Sequence, residues 1–217
     1  MAVNVARGPL RGPLVFPMQT LIITGGIATG KSSACRAWLE IEPDTVVHDA
    51  DAVVHALYGD PRVRMELAAA FGPAALVGES EVDRGFLRKT IVADPPGKKI
   101  LEGILHPRVR MHTAAAHAKA RSEGKLWFLA DVPLYFEAGE WKPSPDARVV
   151  VVACSRETQR IRLQQRNPFD IAEAGLIIAM QADLAAKMAA ADHVLWNEGS
   201  LAALRRQATM LRDCLRH

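Results

Sequence analysis

The stretch Leu21-Ile-Ile-Thr-Gly-Gly-Ile-Ala-Thr-Gly-Lys-Ser-Ser33 constrains this chain more than any other. An apolar run suited to a buried strand leads into Gly25-x-x-x-x-Gly30-Lys31-Ser32, and a helix starts directly after it. This is the full P-loop spacing, and each part answers a chemical need. Gly25, Gly26 and Gly30 leave no Cβ in the way of a polyanion, so the loop from Gly25 through Ile27, Ala28 and Thr29 turns tightly with its N–H groups inward. The helix beginning at Ser33 adds the positive end of its dipole. Lys31 is placed to reach β- and γ-phosphates, and the Ser32 hydroxyl suits a Mg²⁺ ion. An ordinary glycine-rich strand-to-helix turn has no need of the Lys-Ser pair, so the expectation is a nucleoside triphosphate site.

The remaining composition narrows the class. A chain of 217 residues suits one domain with small appended subdomains. A formal charge of +3 with scattered basic residues gives no nucleic-acid footprint, and small phosphorylated substrates account for it equally well. Cys35, Cys154 and Cys214 are odd in number and lack CxxC spacing, which argues against a disulfide framework or zinc site and for thiols in a reducing, cytoplasmic setting. No apolar run reaches the roughly 18 residues of a membrane span, so no membrane partner is expected. Oligomeric state is not legible. Residues 1–18, with the duplicated Arg7-Gly-Pro-Leu-Arg-Gly-Pro13, read as a disordered or loosely docked tail, and Met18 is a candidate natural start.

From residue 19 a kinase-sized domain is expected, and the pattern alternates as a parallel α/β sheet requires. Five strands are expected at Thr20–Thr24, Asp44–His48, Leu126–Ala130, Arg148–Ala153 and His193–Trp196. The unbroken valines of the fourth suit a strand covered on both faces. A first helix is expected from Ser33 to Glu40 and an amphipathic last one over 199–215. The interval 55–125 reads as helical throughout, too large for a plain crossover: Arg62–Phe71, Arg84–Ala93 and Pro96–Ser122, the last kinked or divided at His106-Pro107. Asp49, Asp51 and Asp131 follow strand ends, where open α/β sheets bind ligands. If the segment is extended there, Asp49 and Asp51 share a face; the alternative is that they cap the next helix.

Several short motifs in order then resemble one family. Thr24-Gly-Gly-Ile-Ala-Thr-Gly-Lys-Ser32, Asp49-Ala-Asp51, Val82-Asp-Arg84 with Leu87, Leu101-Glu102 with His106-Pro107, and Asp131-Val-Pro-Leu-Tyr-Phe-Glu137 are similar to dephospho-coenzyme A kinases. Glu157-Thr-Gln159, Arg162, Arg166, Gln181, Asp192 and Asn197 continue the order, and the resemblance covers about 20–215. It implies a three-layer P-loop kinase fold, with a five-stranded parallel sheet, an acceptor-binding helical insertion over about 55–125 and a lid over about 166–187. The implied reaction is ATP- and Mg²⁺-dependent phosphorylation of the ribose 3′-hydroxyl of dephospho-coenzyme A, the last step of coenzyme A synthesis.

The resemblance also implies roles. Asp51 is the catalytic base, Lys31 and Arg166 stabilise transferring charge, and Ser32 with Asp131 serves the metal. Asp49, Arg84, His106 and Glu137 are expected on the acceptor side, arginine offering a planar fork for phosphate. His55 stands where relatives often carry arginine. The lid is poorer in arginine than in many relatives, with Ile177 and Leu184 and, nearby, only Lys187. A nucleoside or nucleotide kinase with another acceptor shares the P-loop and lid and is the main alternative, against which the Asp49-Ala-Asp51, Asp83-Arg84 and His106-Pro107 set favours dephospho-coenzyme A. A GTPase is disfavoured, because no Asn/Thr-Lys-x-Asp tetrapeptide occurs, and an acceptor-independent ATPase is a further alternative.

Overall fold

The computed structural model describes residues 17–78, 81–139, 141–166, 171–179 and 181–216. Most of the expected tail, residues 1–16, lies outside them, whereas Met18 packs against Phe128 and Ala130.

Five parallel strands form the central sheet: β1 (Gln19–Gly25), β2 (Val46–Asp49), β5 (Trp127–Asp131), β6 (Arg148–Ala153) and β7 (His193–Trp196), in the order β2-β5-β1-β6-β7. β1 is central and, apart from Gln19, buried throughout, as its apolar run predicts. Alternate residues divide between the faces. Leu21, Ile23, Trp127, Leu129, Val150 and Val152 pack under helices α1 (Lys31–Ile41) and α9 (Leu201–Leu215). On the opposite face Phe128 and Ala130 meet Ala116 and Ala120 of α5 (Pro95–Ser122), making three layers. There the Thr20 hydroxyl and His117 of α5 hydrogen-bond at 2.9 Å.

The interval between β2 and β5 is a second small core. Helices α2 (Ala50–Leu57), α3 (Pro61–Phe71), α4 (Arg84–Ala93) and α5 bury Leu57, Val63, Leu67, Leu87, Leu101 and Leu105 together. Two expectations fail here. Residues Leu76–Val77 (β3) and Glu81–Val82 (β4) form a short antiparallel pair rather than helix. α5 runs unbroken for 28 residues with Pro107 inside it. Proline removes one N–H, which leaves the carbonyl four residues earlier, that of Gly103, without its helical donor. The Ile104 carbonyl is engaged by the Arg108 guanidinium at 2.6 Å, so a polar group near the interruption has a partner.

After β6 the chain continues through α6 (Arg156–Arg166), α7 (Ile171–Ala179) and α8 (Leu184–Ala189) into β7. Trp38 of α1 and Trp127 of β5 meet edge to face at 4.9 Å, both buried, and join the first helix to the sheet. Trp38→Ala is therefore expected to cost about 3–5 kcal/mol in urea unfolding. A loss below 1 kcal/mol would mean that this contact does not anchor α1.

Candidate active site

The loop Gly25–Gly30 leaves the C-terminal end of β1 and enters α1 at Lys31. Its conformation demands glycine at defined places. Gly30 has φ 98°, and a side chain there would run into the Asn197 amide. A Cβ on Gly25 would strike the Val152 carbonyl of the neighbouring strand. Ala28 holds φ 58°, an unusual value for a residue with a Cβ, as backbone at a ligand site often does.

The loop's carbonyls are tied outward. The Thr29 carbonyl accepts from Asn197 Nδ2 at 2.8 Å and from Arg162 at 3.2 Å, and the Ile27 carbonyl accepts from Gln159 Nε2 at 2.7 Å. The Thr29 hydroxyl donates to the Gly26 carbonyl at 2.8 Å. With these carbonyls engaged, loop N–H groups other than that of Ile27, which donates to Gln181 Oε1, are left for a phosphate, and the first N–H groups of α1 join them. Gln159, Arg162 and Asn197 thus shape the loop. In the sequence they are visible only as members of an ordered motif set.

Asp49 ends β2 and Asp131 ends β5, paired in register, while Ile23 of β1 is Asp131's partner on the other side. Parallel pairing therefore brings both carboxylates to the strand end that carries the P-loop. Asp49 and Asp51 do not share one extended face, however. Asp49 Oδ1 accepts the Asp51 and Ala52 N–H groups at 2.9 and 3.1 Å, so it caps α2, and Asp51 lies in the first helical turn. The helical dipole and two otherwise unpaired N–H groups favour that arrangement over extended chain.

The electrostatics show convergence on Lys31. Burial pushes the Asp131 carboxyl up to about 6; Lys31 opposes the rise and Asp49 and Asp51 add to it. Asp51 is raised by burial and by Asp49, again against Lys31. Burial lowers the Lys31 ammonium, with Asp131 and Asp51 holding it up. Asp131 Oδ1 is buried and has no hydrogen-bond partner among the described residues, and the Ser32 side chain stands exposed in the first turn of α1. Hard oxygen donors beside a phosphate-binding loop fit a hydrated Mg²⁺.

The other expected residues are spread over distinct places. Arg84, at the start of α4, lies against His55, 3.1 Å from Nδ1, and 5.6 Å over the Tyr58 ring. His55 is thus a partner of Arg84. His106 lines a small cavity of about 50 Å³ with Arg110, Thr113, Tyr135 and Trp141, and burial lowers its pKa. Arg110, which no motif singled out, donates to the Ala138 carbonyl at 3.0 Å. Glu137 accepts from Lys187 at 2.7 Å and from the Ala182 N–H at 3.1 Å, a pairing 50 residues apart with no sequence signal. Arg166 ends α6, and its side chain lies outside the described residues.

A P-loop, a Lys–Asp cluster at the carboxyl ends of parallel strands and an adjoining helical cleft define a nucleotide-dependent phosphotransferase. The dephospho-CoA kinase family model matches residues 20–203. A dephospho-CoA kinase from Bordetella pertussis is 36% identical over 199 residues, covering 90% of each chain. Among solved structures, a Thermus thermophilus protein superposes with a TM-score of 0.75 at 26% identity, covering 91% of this chain and 98% of its own. A dephospho-CoA kinase from Campylobacter jejuni superposes at 0.65 with 25% identity, covering 89% and 95%. The chain belongs to the dephospho-CoA kinase family.

Because the Asp131 carboxyl is raised from 3.8 to about 6, its contribution favours the fold fully below about pH 4 and is lost as pH rises through 6. Asp131→Asn is expected to stabilise the ligand-free protein at pH 8 by about 1–2 kcal/mol, discounted for partial exposure, with the gain vanishing near pH 4. Urea unfolding at the two pH values checks this; equal effects at both would refute the buried-charge account.

Proposed function

We propose that this protein transfers the γ-phosphoryl group of ATP to the ribose 3′-hydroxyl of dephospho-coenzyme A, giving coenzyme A and ADP, with Asp51 as the base. The carrying observation is the electrostatic convergence of Asp51 and Lys31 beside the P-loop, where an attacking hydroxyl and a bound triphosphate meet. The triphosphate lies on the loop Gly25–Ser33, the Ile27 N–H excepted because Gln181 holds it. Dephospho-coenzyme A docks between the sheet end and the helical insertion, about 55–125, with Arg84 and His106 on its path. Asp49 and Glu137 shape the site from behind, through the α2 cap and the Lys187 pair.

Asp51 orients the hydroxyl and takes its proton; its raised proton affinity suits that task. Lys31 and Arg166 stabilise the charge that shifts onto the leaving ADP. Ser32 and Asp131 would hold Mg²⁺, which neutralises phosphate charge when bound. The segment 166–187 acts as a lid that excludes water, so ATP is not hydrolysed instead of used.

Small molecules are the substrates, and the cytoplasm is the proposed setting. Cys35, Cys154 and Cys214 are free, in keeping with a reducing compartment. Among the described residues no helix is long and apolar enough to cross a membrane.

ADP release from Mg²⁺–ATP with dephospho-coenzyme A, adenosine, AMP or no acceptor tests the reading. The expected result is release that depends on dephospho-coenzyme A and falls by about 10²–10⁴ in a folded Asp51→Asn variant. Preference for adenosine or AMP would overturn the acceptor, and an undiminished Asp51→Asn rate would overturn the base.

A further inference from the structure

Lys187 has an environment that a structural role alone does not account for. It lies on α8 and is only 1% exposed, with its ammonium 2.7 Å from Glu137 Oε1. That same oxygen accepts the Ala182 N–H at 3.1 Å. The preceding residue, Gln181, accepts the Ile27 N–H of the P-loop through Oε1 at 2.6 Å, while Gln159 of α6 donates to the Ile27 carbonyl at 2.7 Å. Both main-chain groups of one P-loop residue are thus held by glutamines, and the Gln181 side is secured through Glu137 and Lys187.

Burying a lysine–carboxylate pair is a poor way to gain stability, because desolvation offsets most of the attraction and packed apolar residues serve a fold as well. Burial lowers the Lys31 pKa, and Lys187 adds a smaller lowering. From Asn167 to Ala186 the sequence contains no lysine, arginine or histidine, so cations of the segment expected to cover the phosphates stand only at its two ends, Arg166 and Lys187.

We propose that Lys187 is a positioning residue for phosphoryl transfer: it holds Glu137 and the Gln181–Lys187 segment against the P-loop, and so fixes the loop on which the triphosphate sits. The inference rests on the kinase reading above and deepens it. Glu137 Oε2 is buried and without a hydrogen-bond partner among the described residues, so the carboxylate is held through Oε1 alone.

The test compares kcat, KM for ATP and thermal midpoint in wild type, Lys187→Met, Lys187→Arg and the Lys187→Met/Glu137→Gln double variant. Lys187→Met leaves Glu137 buried and unpaired, so both its midpoint and its kcat are expected to fall. The double variant removes the unpaired charge and is expected to recover the wild-type midpoint while kcat stays down by about tenfold or more, with KM for ATP changed less than kcat. Lys187→Arg keeps the charge and is expected to retain more kcat than either. If Lys187→Met does not fold, the double variant decides alone. Recovery of kcat together with the midpoint in the double variant would reduce the pair to an ordinary buried ion pair and overturn the proposal. A wild type with no acceptor-dependent turnover would instead overturn the kinase reading, and this inference with it.

Discussion

A loop can present its N–H groups to a phosphate only if its carbonyls are satisfied somewhere else. This requirement organises the molecule. The partners come from α6 (Gln159 and Arg162), which follows β6, and from the residue after β7 (Asn197); β6 pairs with β1, and β7 with β6. The six-residue loop is therefore not a local structure. Its inward donors exist because strands β6 and β7, more than a hundred residues later in the chain, deliver side chains to its outer surface. The left-handed Ala28 conformation, which costs of order 1 kcal/mol, persists because the same bonds over-determine it.

The charged cluster follows from the same geometry and works against stability. Parallel pairing sets Asp49 beside Asp131, α2 adds Asp51, and Lys31 arrives from α1. In the absence of ligand the carboxylates crowd one another, and burial raises Asp131 to about 6. Such a site is complementary to a phosphate, a metal and a transferring proton rather than to itself, the usual stability cost of function. Burial, together with Asp131, pushes the Cys35 thiol up to about 12, so the cysteine of the P-loop helix remains protonated and non-nucleophilic beside a reactive phosphate chain.

What was legible in the sequence divides along a physical line. The five strands of the main sheet came out within two residues of their bounds, most plainly the inner β5, β1 and β6, because a buried parallel strand is a continuous apolar run bounded by polar residues. The P-loop was legible because its chemistry admits few residue types. Pro107 does not divide α5, because the helix is packed into the insertion core on both sides of it, through Leu101, Leu105 and Val109. The β3–β4 pair was missed because two-residue strands have no period to detect. The pairs Lys187–Glu137 and Arg84–His55 were invisible for another reason, since both join residues far apart in the chain and neither alters the periodicity of its own segment.

The Asp49-Ala-Asp51 stretch shows how one short motif separates structure from chemistry. Both residues are aspartates two apart at a strand end, and on extended backbone they are equivalent. The helix breaks that equivalence. Asp49 Oδ1 accepts the N–H groups of Asp51 and Ala52, which fixes the start of α2 and places Asp51 in its first turn. Its charge then acts on Asp51 as a near neighbour and, with burial, raises that carboxyl's proton affinity. In the mechanism proposed above, a base must be held in place and must have a raised proton affinity. Under that reading Asp49 contributes to both without itself having to meet the acceptor, so the two aspartates of one motif serve different physical ends.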